Sequence, residues 1–185
     1  MTYSIATAPT TEPVTLADAK AHLRIVAGDT TEDAAIITPL ITAAREYCEN
    51  ITGRALAPQT IEAYPERLDD IIVLPRPPVV SVTSVKYTDA DGTETTMDAG
   101  SYIVDKVGGR IAFRTKPTFT PAVVNPVKIT YEAGTTPPKT IRQAMLLLIG
   151  HWYENREAVI VGAVASVKVE LAVRSLLNQN KVWWF

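Results

Sequence analysis

The feature that most constrains this chain is a change of hydrophobic period, from helical to strand-like and back again, within 185 residues. From about 15 to 56, apolar residues recur every three or four positions. From 57 to 134, β-branched and aromatic residues alternate with polar ones and are interrupted by Pro and Gly. From 138 the helical period returns. A period-2 segment cannot bury one face as a helix, so the chain must hold two kinds of structure, one set inside the other. The pattern predicts the α+β class: a helical core of three to four helices, from 15–57 and 136–177, with a small antiparallel β unit inserted over 58–135 and resting on it. Residues 1–14, rich in Thr, Ala and Pro without a period, are expected as an extended or mobile lead-in, and 178–185 as a C-terminal arm.

Local signals sharpen this. Thr15 with Asp18 three residues on fits a capping box, each side chain satisfying a backbone N–H of the other's turn. Leu16, Ala19 and Leu23 follow at helical spacing, and this first helix should end before Gly28. Thr30 and Asp33 repeat the cap signature. Ile37, Leu40, Ile41, Ala44, Tyr47, Cys48 and Ile51 then trace one face up to Gly53, a C-terminal stop. Pro39 interrupts them and predicts a kink there, or a start later than Asp33. In the middle region, runs at 71–74, 80–88, 93–97, 102–105, 110–114 and 127–131 predict five or six short strands in a sheet or barrel. Asp89-Ala90-Asp91-Gly92 is the turn of a hairpin. Pro137-Pro138 opens a third helix, with Ile141, Met145, Leu148 and Trp152 in one stripe. Residues 158–169 are small and apolar with no helical polar face, and a last short helix is expected over 170–177.

Composition is that of a globular chain, with 46% hydrophobic and 21% charged residues. Cys48 is the single cysteine, which excludes a disulfide within the chain. No secretory signal is visible, and the longest apolar run, 144–150, falls far short of the ~20 residues a membrane span needs. The chain is therefore expected to be soluble and intracellular when made. Net charge is −2, which offers no general positive field for bare nucleic acid. The charge is uneven: 7 acids and 4 bases in 1–57, 10 and 8 in 58–135, and 3 and 6 in 136–185. The C-terminal quarter is cationic.

Catalysis has no visible seat. His22 and His151 are the two histidines and fall in different helices. His151 and Glu154, three apart, could face one metal, but two ligands are too few and a helix-surface pair explains them better. Cys48 lies on an apolar stripe and reads as a buried structural thiol. Asp69-Asp70 and Asp89 with Asp91 read as turn chemistry. No phosphate-cradling loop, nucleophile elbow or paired-cysteine motif occurs. No cofactor, metal or enzymatic activity is expected.

What is left over is apolar surface. The segment 158–169, the broad third helix and the aromatic end hold more of it than a monomer sensibly leaves in water. Either these parts fold back on the chain's own core, or they form contacts in an assembly. On the second reading Val159, Val161, Ala163 and Ala165, small residues that allow close approach, and Trp152 of the broad third helix are subunit-interface candidates.

An ordered series of motifs goes further. EPVTLADAKAHLR at 12–24, TGRAL at 52–56, LPRPPV at 74–79, SVTSV at 81–85, YTDADG at 87–92, IRQAM at 141–145 and GHWYENRE at 150–157, with the aromatic end, closely resemble tailed-phage head–tail connector proteins. This head-completion or adaptor family occurs in prophages and gene transfer agents. The resemblance implies a virion protein of the head–tail junction, assembled from the host cytoplasm as a ring of about twelve copies under the portal. Such a ring lengthens the channel for double-stranded DNA, without sequence-specific contact, and offers a docking surface to the next neck, stopper or tail protein. No catalysis and no membrane are implied. Lys181, Val182, Trp183, Trp184 and Phe185 are then candidates for an arm docking on the portal, the alternative being that the arm packs on its own helices. A tail-side completion protein and a DNA-packaging accessory factor are the competing functions; the latter calls for a basic stripe or metal-binding carboxylates, and the sequence shows neither.

Overall fold

The computed structural model describes residues 1–25, 31–89, 91–117, 125–155 and 163–182, apart from the side chains at 31–33 and 163–168. Its chain forms two compact units: Met1–Thr10 with Ala57–Thr135, and Thr11–Leu56 with Thr136–Phe185. The first is built of strands, the second of helices, and the fold is α+β.

The helical unit holds α1 (Leu16–His22), α2 (Thr31–Thr52), α3 (Lys139–Glu154) and α4 (Ala163–Asn178). The capping box of α1 is present: Thr15 Oγ1 accepts from the Asp18 N–H at 3.1 Å and Asp18 Oδ2 accepts from the Thr15 N–H at 3.1 Å. Arg142 of α3 adds an ion pair to the same carboxylate. At the far end of α2, Gly53 takes φ +69° and donates to the Glu49 carbonyl, a turn that glycine makes without strain. The core is filled by Ile37, Ile41, Ala44 and Cys48 of α2, by Ile141, Ala144, Met145, Leu148 and Ile149 of α3, and by Val173 and Leu177 of α4. The α2 residues, and Ile141, Ala144, Met145 and Leu148 of α3, belong to the stripes read in the sequence; Ile149, Val173 and Leu177 join them only in the fold.

Two local expectations change. Pro39 sits inside α2, and the helix already runs at Thr31, so the later start is not found. Pro39 and Ala35, whose carbonyl the proline leaves without its usual donor, are both exposed, while Ile37 and Ile41 are buried on the other side. The unmet acceptor faces water, and packing holds the helix through it. The last helix is also longer than 170–177: α4 begins at Ala163, within the segment that shows no polar face. Val169, Val173, Leu176 and Leu177 turn inward, so burial rather than a charged outer face sustains it.

Eight strands make up the other unit: β1 (Thr2–Thr7), β2 (Gln59–Tyr64), β3 (Ile71–Val73), β4 (Val79–Thr88), β5 (Glu94–Thr96), β6 (Tyr102–Asp105), β7 (Arg110–Phe113) and β8 (Val127–Ala133). They form two antiparallel sheets, in the orders β1-β2-β8-β4-β5 and β3-β7-β6. Strands exceed the expected five or six because β1 and β2 gave no separate signal. The segment expected as a lead-in is, over Thr2–Thr7, an edge strand paired only with β2 among the described residues. All six of its residues are exposed, and it carries only the short alternation of Tyr3 and Ile5 with Thr2 and Ser4. The predicted hairpin is present between β4 and β5. Asp89 Oδ1 accepts from the N–H groups of Asp91 and Thr93, and Gly92 takes φ +82°. Ile61, Ala63, Val79, Val85, Val127, Ile129 and Tyr131 bury the inner face of the larger sheet. Gly134, at φ +100°, closes β8 where a Cβ atom would lie 2.0 Å from the Ala57 carbonyl oxygen. Only glycine fits there.

Candidate functional site

The residues that could carry chemistry are occupied by structure. Cys48 is fully buried, and burial together with the neighbouring Glu49 pushes its thiol up to about 12, far from thiolate formation. His22 is exposed on α1. His151 is half-buried near the end of α3, where Asn155 Nδ2 lies 3.2 Å from its Nδ1 and donates to its carbonyl at 2.8 Å. That is a helix C-cap, with Glu154 exposed beside it. Asp69 pairs with Arg67 and Asp70 with Lys116, while Asp89 serves its own turn. Among the described residues no three His, Cys, Asp or Glu side chains stand where they could hold a metal ion. None of the described helices is long and apolar enough to cross a membrane.

A polar network in the helical unit was not legible beforehand. Arg45 and Glu49 are buried and paired at 2.9 Å. Arg45 Nε also donates to Glu12 Oε2 at 2.9 Å, Thr42 Oγ1 donates to Glu12 Oε1, and Glu49 Oε1 accepts from the Leu56 N–H at 2.8 Å. The pair at i, i+4 looks like an ordinary solvated helix pair. Its burial depends on Glu12, 33 residues away, and on the chain's return at Leu56. The network fixes the segments entering α1 and leaving α2, a scaffolding role with no reactive group exposed.

The root of the C-terminal arm is defined in similar detail. The Asn180 carbonyl accepts from Arg54 Nε at 2.6 Å, and Asn180 Nδ2 donates to Thr140 Oγ1 at 2.9 Å. The Val182 N–H donates to the Thr52 carbonyl at 2.8 Å. Three bonds thus stitch residues 180–182 to the end of α2 and the start of α3. Lys181 is exposed and Val182 half-buried. Trp183, Trp184 and Phe185 lie outside the described residues. Of the interface candidates, Val159 and Val161 also lie outside them, and Ala163 and Ala165 are on α4, described there by backbone alone. Trp152 is half-buried, packed against the helical core, and meets Tyr47 edge-on with ring centroids 6.2 Å apart. The structure therefore brings the arm's root to one end of the helical unit, and Trp152 to the border of that unit's core.

The comparisons with known proteins agree on one kind of relative. The chain is similar over its whole length to a chain from a structure described as the neck of an empty GTA particle computed with C6 symmetry: 26% identity, TM-score 0.74, covering 100% of this chain and 97% of that one. It shares its fold with a chain from the virion of a native gene transfer agent (GTA) particle, at 24% identity and TM-score 0.75, and with one from the neck of a native GTA particle computed with C12 symmetry, at 24% and 0.73. Both likenesses cover 100% of this chain and 97% of the other. No curated protein sequence matches it. The family profile described as head completion protein matches residues 14–164, most of both helical segments and the whole β segment between them, and the chain belongs to the head completion protein family.

Proposed function

We propose that this chain is a structural component of the neck joining a phage-type head to its tail, present as one of about twelve copies in a ring under the portal. DNA passes through the ring, and the opposite side receives the next neck or tail protein. One observation carries the reading: the end-to-end likeness, at 26% identity, to a chain of a GTA particle neck. The family membership supports it. Net charge near zero suits a channel wall, since a strongly basic wall would grip passing phosphates. The mature site of action on this reading is the virion, with assembly in the host cytoplasm, and the reading involves no cofactor and no catalytic step.

The C-terminal arm is the proposed portal contact. Its root is held by Arg54, Thr140 and Thr52. Lys181 and the aromatics Trp183, Trp184 and Phe185 follow in a cationic quarter of the chain, and aromatic anchors of roughly 150–250 Å² each are what a docking peptide needs. Deleting 183–185 while keeping Val182 tests both points, because the bond from Val182 to Thr52 stays. The truncated chain should melt at the same temperature and should no longer decorate its portal in electron micrographs of the mixture. A melting point many degrees lower, or normal decoration, overturns the docking arm. Failure of the intact chain to add ring density below the portal overturns the neck reading itself.

A further inference from the structure

The chain leaving α2, Thr52-Gly53-Arg54-Ala55-Leu56, is fixed by the helix it leaves. Thr52 Oγ1 donates to the Cys48 carbonyl at 2.7 Å and accepts from the Arg54 N–H at 3.4 Å. The Gly53 N–H donates to the Glu49 carbonyl at 2.9 Å, and the Leu56 N–H to Glu49 Oε1 at 2.8 Å. Glu49 is itself paired with Arg45. Thr52, Ala55 and Leu56 are buried. None of these bonds uses the Arg54 side chain, so the turn forms without it. The guanidinium of this TGRAL string has another partner.

That partner is the chain beyond α4. The N–H groups of Asn180 and Lys181 turn back to the Leu177 and Asn178 carbonyls, closing the last turn. The Val182 N–H then donates to the Thr52 carbonyl at 2.8 Å, and the Asn180 carbonyl accepts from Arg54 Nε at 2.6 Å. In an antiparallel pair with Lys181 opposite Gly53, the first of these bonds is an ordinary backbone rung. The second rung would come from the Arg54 N–H, but that group is engaged by Thr52 Oγ1, and the guanidinium stands in for it. A backbone rung forms whatever residue occupies a position. This one needs a long donor at 54, and its donor is a cation, which makes the bond short. Asn180 Nδ2 adds a tie to Thr140 Oγ1 at 2.9 Å and to the Leu176 carbonyl at 3.4 Å.

We propose that Arg54 is the positioning residue of the C-terminal arm: through the Asn180 carbonyl it sets the direction in which residues 183–185 leave the helical unit. The inference rests on the reading of the arm as the portal contact, and gives that contact its preorganisation. A docking peptide loses backbone and side-chain freedom when it binds, and a root already held in the bound direction reduces that cost. The bond lies beyond the end of α4, on a half-buried side chain, while the α4 residues that fill the core, Val173 and Leu177, are buried independently of it. Its loss therefore frees the arm more than it weakens the fold.

The test uses the full chain as Arg54→Ala, Arg54→Lys and Asn180→Ala, with three measurements: melting temperature, hydrogen exchange of the Val182 amide, and binding to portal by sedimentation. Arg54→Ala should melt within about 2 °C of wild type. Its Val182 amide should exchange about tenfold faster while the amides of α2 and α3 keep their protection. Its portal affinity should fall about tenfold, the scale of a few groups left to be ordered on binding. Arg54→Lys, which keeps a donor and the charge, should recover part of both the protection and the affinity. Asn180→Ala removes the tie to Thr140 and should lower both in the same direction, so the test stands if Arg54→Ala does not fold. Wild-type portal affinity with a freed Val182 amide overturns the positioning role. Lost affinity with Val182 exchanging as in wild type also overturns it, making Arg54 a portal contact itself. A melting point many degrees lower in both Arg54→Lys and Asn180→Ala assigns these bonds to the fold and overturns it too. In each case deletion of 183–185 still abolishes decoration and the arm stands; if that deletion leaves decoration normal, the arm reading falls and this inference with it.

Discussion

Asp18 shows how much of a helix start resides in one carboxylate. Hydrogen bonds from Thr15, then the Arg142 guanidinium, lower its pKa from the ordinary 3.8 to about 2. A folded-state pKa below the unfolded one stabilises the fold above pH ~4, and that contribution is lost as pH falls from about 4 to about 2. The group is about one-third exposed, so water screens much of it. Asp18→Asn should therefore cost about 0.5–1 kcal/mol at pH 6, the scale of a helix-terminus charge. The gap to wild type should close near pH 2. Urea unfolding at the two pH values measures this, and an equal gap at both refutes the assignment. The Thr15–Asp18 cap could be read from the sequence because it is local. Arg142, 124 residues away, could not.

At the scale of the element, α2 carries a conflict that its neighbours resolve. Pro39 removes a backbone donor inside a 22-residue helix, and the buried stripe of Ile37, Ile41, Ala44 and Cys48 holds the helix through it. Since Pro39 faces solvent, Pro39→Ala restores the bond without disturbing the core. It should raise unfolding free energy by about 1–3 kcal/mol, up to the full interior penalty of proline. No gain in the denaturation midpoint would show that the helix is already bent to accommodate the ring. α4 teaches the complementary lesson. Its segment 163–169 lacks the polar face that marks a surface helix, yet the backbone is helical there. The periodic signal depends on one face meeting water, so an apolar segment is ambiguous until its surroundings are known.

For the whole molecule, the proposed arm contact is one that ionic strength tests. The arm belongs to a quarter of the chain with 3 acids and 6 bases. Raising salt from ~50 mM to ~500 mM shortens the Debye length to a few ångströms and weakens charge pairing across such a contact. Portal decoration should fall severalfold across that range, measured by sedimentation of mixtures with portal. Decoration unchanged by salt would assign the docking to the aromatic side chains instead.

The division of labour between sequence and tertiary structure follows from range. The α1 cap, the stripes of α2 and α3 and the β4–β5 hairpin were legible because each is decided within a few residues, by capping, by one-sided burial or by a turn needing Gly92. Ordered motifs marked the family for the same reason, surviving as short local strings. Two things were decided only by the fold. Thr2–Thr7 became a strand because its backbone groups pair with Gln59–Tyr64, far along the chain, a partner that the short alternation of Tyr3 and Ile5 with Thr2 and Ser4 could not name. Arg45 and Glu49 became a buried pair because Glu12 and the Leu56 amide complete their hydrogen bonds, without which desolvation would forbid it. Each depends on partners tens of residues apart, and a hydrophobic period carries no record of which distant segment will lie alongside.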